Sequence, residues 1–106
     1  IALDNQEIIK QQQLEIIENL LKNTSEEYTN KLFILQAQEK NVITNQNNFD
    51  RSVEKYKLGQ ISSIDFRLAQ VNLLNSQTDL TNTKYETKLI ELRLSQLSGQ
   101  ILNVEF

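Results

Sequence analysis

Leu14, Leu21, Tyr28, Leu35, Val42, Phe49 and Tyr56 recur every seven residues without a break. Two helical turns take about seven residues, so this spacing lays the seven side chains along one stripe of a helix that winds left-handedly on its partners. Three residues further on stand Ile17, Thr24, Lys31, Gln38, Asn45 and Ser52. The second position of the seam is therefore mostly polar, and the helix is no self-sufficient leucine zipper. Downstream, Ile64, Val71, Thr78, Tyr85 and Leu92 keep the seven-residue beat, while Phe66, Leu73, Leu80, Thr87 and Leu94 form a second row offset by two residues. Two residues are about 200° of helix rotation, so this second helix has two apolar faces. A plain two-helix hairpin needs one, and the other calls for a neighbour.

The two periodic stretches are separated by Tyr56-Lys57-Leu58-Gly59-Gln60-Ile61-Ser62-Ser63-Ile64-Asp65. Gly59 can take the left-handed conformation that ends a helix, and Lys57 suits a last turn. Ser62 and Asp65 have the spacing of a capping box, with Asp in place of Glu. The expected fold is all-α, a long antiparallel coiled-coil hairpin: helix 2–57, tip loop 58–62, helix 63–98 stopped by Gly99, and a short extended tail 99–106. At about 1.5 Å per residue the arms run roughly 84 and 54 Å, so the first helix overhangs its partner by about 30 Å. Residues before about Leu21 then have no opposite number. Reflection about the loop sets Phe49 near Asn72 and Val42 near Asp79. The polar stretches 19–30 and 44–48 are the places where an unsupported helix would fray or kink.

Composition sharpens this picture. The chain has no Pro and two Gly in 106 residues, so it is short of turn punctuation and its elements are long. Asn and Gln number 12 each and Ser and Thr seven each, giving a wet but weakly charged surface. Such a composition would also suit disorder, and the unbroken seven-residue phase argues against it. No apolar run exceeds Leu32-Phe33-Ile34-Leu35, and mean hydropathy is −0.46, which excludes a membrane-spanning helix. The first residue is Ile1 and no export signal is discernible, so the chain reads as a fragment of something longer. Net charge is −3, which argues against nucleic acid as a partner. With neither His nor Cys, the commonest general base, the thiol nucleophile and the usual transition-metal ligands are missing. No pair of carboxylates is set at catalytic spacing. No catalytic or metal-binding residue and no cofactor is assigned, and the chain is read as non-enzymatic.

Tyr56-Lys57-Leu58-Gly59 followed by Ile64-Asp65, then Leu80-Thr81-Asn82-Thr83-Lys84-Tyr85, then Leu89, Leu92, Leu97 and Gly99, resembles the helix-turn-helix of the TolC-like outer-membrane efflux protein family. The resemblance covers residues 49–102; the long helix before it is less specific. It implies the periplasmic portion of a bacterial outer-membrane protein, in which three protomers with two hairpins each close into an α-barrel. The homotrimer would form the exit duct of a tripartite pump, with a periplasmic adaptor (membrane fusion) protein and an inner-membrane transporter as partners. The outer membrane would be reached only through regions absent from this chain. Proximity to the chain end favours the second, C-terminal hairpin.

The same resemblance implies an adaptor contact at the tip residues Leu58, Gly59, Gln60, Ile61 and Ser62. The competing reading is that Gly59 merely closes a helix while Leu58 covers the hairpin end. Asp65 matches a carboxylate that rings the family's narrow entrance, and it is equally a first-turn residue stabilising the helix start. Tyr56 matches an aromatic that helps hold the entrance closed, and it also completes the seven-residue row. Leu68 and Ile61 stand where the family has an acid and an arginine, so the charged links of that entrance are partly missing. The alternative function is a coiled-coil structural or interaction protein without a pore, which needs neither the second apolar row nor the overhang.

Overall fold

A computed structural model describes residues 2–105 of the protein, with side chains described as far as Gln100. The described residues are all-helical, without strands: α1 is Ala2–Lys57 and α2 is Ser63–Glu105. They fall into two compact units. One is Leu32–Tyr85, carrying the turn; the other combines α1 up to Lys31 with α2 from Glu86 onward.

The turn between the helices is a glycine C-cap followed by a serine N-cap. Gly59 has φ +71°, its N–H donates to the Tyr56 carbonyl at 3.0 Å, and the Gln60 N–H donates to the Lys55 carbonyl at 2.8 Å. These crossed bonds are a Schellman motif, which satisfies carbonyls that the end of α1 would otherwise leave bare. The Ser62 hydroxyl then accepts from the Asp65 N–H at 3.2 Å, and the Ser62 carbonyl from the Phe66 N–H at 3.1 Å, starting α2.

In the turn-bearing unit the helices pack antiparallel through an aromatic group. Phe66, one turn into α2, lies 4.8 Å from the Tyr56 ring in a stacked arrangement and 5.7 Å from that of Phe49. This differs from simple reflection about the loop, which set Phe49 near Asn72. Phe66 reaches both Phe49 and Tyr56, which centres the seam less than one helical turn from the reflected register. Continued along the heptads, the seam sets Asn45 level with Leu73 and Gln38 level with Leu80, with Val42 level with Ser76. Each layer thus pairs a bulky side chain with a small or polar one. The polar row of α1 does face the seam: Gln38, Asn45 and Ser52 are half-buried, as are Leu35, Val42 and Phe49.

In the other unit Thr24, Thr87, Ile90 and Leu97 are buried, with Tyr28, Leu21, Ile17 and Leu14 half-covered. Cover on α1 therefore extends back to Leu14, beyond the expected limit at Leu21, and residues 2–13 are exposed. The other end of the hairpin also differs from expectation. Gly99 does not stop α2, and the segment expected as an extended tail is helical to Glu105, while Phe106 lies outside the described residues. Gly99 lacks the positive φ that Gly59 has. A lone glycine in a helix costs about 1 kcal/mol, and no proline follows to enforce a stop. Nor does α1 break in its polar stretches 19–30 and 44–48.

Candidate functional site

The chemistry of this chain lies in which faces of its helices are covered. On α2 the covered stripe consists of Phe66, Leu73, Leu80, Thr87 and Leu94 together with the positions three residues on, Ala69, Ser76, Thr83, Ile90 and Leu97. All ten are buried or half-buried; Leu73 is 8% and Ile90 4% exposed. The row that continues the beat of α1 is the uncovered one. Ile64 is 77% exposed and Val71 48%, and with Leu68 and Leu74 they form an apolar face in the turn-bearing unit. Leu89 and Leu92 are likewise exposed in the other unit.

Periodicity alone left the two rows of α2 equivalent. The signal that separates them is what stands three residues further on. Beside the Phe66 row every companion is small or apolar, so a second helix can approach closely without desolvating charge. Beside the Ile64 row the companions include Arg67 and Lys88, whose burial in a two-helix seam would cost too much.

The seam itself is thin. Among the described residues the buried apolar side chains are Leu73, Ile90 and Leu97, whereas four buried side chains are polar: Thr24, Ser76, Thr83 and Thr87. Among the described residues no large side chain is fully enclosed. Ser76 settles its hydroxyl on the Leu73 carbonyl at 2.8 Å, but the buried Oε1 of Gln38 has no hydrogen-bond partner. Such a layer contributes specificity of fit more than stability.

The outward sides are polar in a particular way. Thr29, Thr44, Thr78 and Thr81 each donate their hydroxyl to the carbonyl four residues earlier, at 2.9–3.1 Å. These hydroxyls are satisfied within their own helix. The resulting surface is hydrophilic, its hydroxyls interspersed with exposed charges of both signs.

At the tip, Leu58 is 71% exposed; Gly59, Gln60 and Ser62 are exposed and Ile61 is half-buried. An added Cβ at Gly59 would meet nothing within 4 Å, so its constraint is conformational rather than steric. Asp65 is exposed in the first turn of α2, with its N–H capped by Ser62. Tyr56, 45% exposed, uses one ring face to stack on Phe66. Tyr56 therefore has a local packing role, Asp65 supplies its backbone N–H to the cap, and both keep exposed surface next to the tip. Among the described residues no cluster of acidic side chains could hold a metal ion, and no helix is long and apolar enough to cross a membrane. No family model matches the chain, nor does any curated protein or solved structure.

Proposed function

We propose that this chain is the periplasmic helical hairpin of a TolC-like outer-membrane exit duct, one stave of a homotrimeric α-barrel. The observation that carries the reading is the uncovered apolar face Ile64–Leu68–Val71, on the side of α2 away from its seam with α1. A stave in a barrel has a neighbour on each side, and a helix in a free hairpin does not. The thin, half-polar seam and the self-satisfied hydroxyls agree with this, since an assembly supplies burial that the hairpin lacks and a water-filled duct is lined without strong charge. A pore-free coiled-coil protein would share the seam but gives the Ile64 row no role.

In this reading the tip residues Leu58, Gly59, Gln60, Ile61 and Ser62 contact the periplasmic adaptor. The inner-membrane transporter delivers substrate to the entrance near Tyr56 and Asp65. The work is mechanical: adaptor contacts that differ between closed and open arrangements of the tip shift the population toward the open one. No cofactor enters. The test is the intact protein, extracted from outer membranes in detergent and reconstituted in a planar bilayer. A trimer that conducts, and loses cation preference on Asp65→Asn, is the expected result. A monomer or dimer without conductance would refute the assignment.

A further inference from the structure

Two ion pairs cross between the helices within the unit formed by the two chain ends: Lys31 Nζ with Glu86 Oε2 at 2.7 Å, and Arg93 Nη1 with Glu27 Oε2 at 3.9 Å. Glu86 and Arg93 are seven residues apart on α2 and opposite in sign, while Glu27 and Lys31 are one turn apart on α1. Gly59 and Ser62 fix the helix ends at the turn, and away from it the seam's softest error is a slide by one heptad, because seam positions then meet seam positions again. Packing discriminates weakly here. Tyr28, level with Ile90, would after such a slide lie level with Leu97, another aliphatic side chain.

The charges add to the discrimination. A slide of seven residues one way carries Lys31 from Glu86 to Arg93, two cations together. A slide the other way carries Glu27 from Arg93 to Glu86, two anions together, and moves Lys31 from Glu86 to Asp79, another carboxylate. We infer that Glu27, Lys31, Glu86 and Arg93 form a register code that favours one axial alignment of α1 and α2, the one of the three with two attractive contacts, and that disfavours most the slide that sets Lys31 against Arg93. Each group is a third to a half exposed or thereabouts, and attraction between exposed charges is modest. The code works through the difference between two attractive contacts in one alignment and a repulsive contact in each of the others. Lys31 also has a second constraint, since it occupies a seam position level with the buried Thr87 and must leave the seam to reach its partner.

The protein lacks cysteine, so nitroxide labels can be placed at Glu26→Cys on α1 and Gln96→Cys on α2, both exposed. Their separation is measured by pulsed electron resonance in the full chain. The native charges should give one narrow distance. Exchange on α2 alone, Glu86→Arg with Arg93→Glu, turns both native contacts repulsive and makes each slid contact attractive. It should abolish that narrow distance, and a slid population would be displaced axially by about 10 Å. Adding Glu27→Lys and Lys31→Glu restores opposite signs in the native alignment and should restore the native distance. A native distance that survives the α2 exchange would overturn the inference. So would a four-charge variant that folds, by circular dichroism, without regaining it. Neither outcome bears on the export assignment, which does not depend on these four residues.

Discussion

At the residue scale the two glycines make opposite demands. Gly59 holds φ +71° in open space, and Gly99 sits inside α2 with no such angle and nothing within 4 Å of an added Cβ. Gly59→Ala should destabilise the chain by about 1–2 kcal/mol, the cost of a left-handed L-residue. Gly99→Ala should stabilise it by about 0.5–1 kcal/mol through lower chain entropy in the unfolded state. Urea unfolding followed by far-ultraviolet circular dichroism measures both, and equal signs would contradict the assignment of turn and helix. Gln38 gives a third test. Its buried Oε1 lacks a partner in a seam position level with Leu80, so Gln38→Leu should raise stability by about 1 kcal/mol. A loss instead would mean that this amide fixes the seam.

At the element scale, the two helices and their junction were legible because long phase, glycine and capping serine all point the same way. The end of α2 was not. A glycine near a helix terminus and a glycine within a helix look alike in sequence, and only the backbone angle distinguishes Gly59 from Gly99. Reflection about the loop gave the register only approximately: it put Asn72 beside Phe49, where Phe66 stands. Which row of α2 faces α1 was readable in principle from Arg67 and Lys88 beside the Ile64 row. The candidate site was legible only in part. Composition showed abundant Asn, Gln, Ser and Thr, but not that the hydroxyls of Thr78 and Thr81 turn back onto their own helix. The distinction between rows is testable in the 106-residue chain. Leu73→Ala should cost about 2–3 kcal/mol, and Val71→Ala, two residues away, no more than about 0.5. Similar losses at both positions would mean that the Ile64 row is covered within the hairpin itself.

At the scale of the whole molecule, burial within the chain is small and apolar exposure outside the seam is systematic. Scattered exposed aliphatic residues are ordinary on protein surfaces. Ile64, Leu68 and Val71, spaced by four and three on one helix and opposite a seam, are a face. The export reading assigns that face to a neighbouring stave, and the polar sides to water on the inside and outside of a duct. The most direct test compares maleimide labelling of Val71→Cys in the isolated 106-residue chain and in the intact protein assembled in outer membranes, with Leu73→Cys as the seam control. The account predicts fast labelling of Val71→Cys in the isolated chain and strong protection in the assembly, with Leu73→Cys slow in both. Equal, fast labelling of Val71→Cys in the two forms would contradict it.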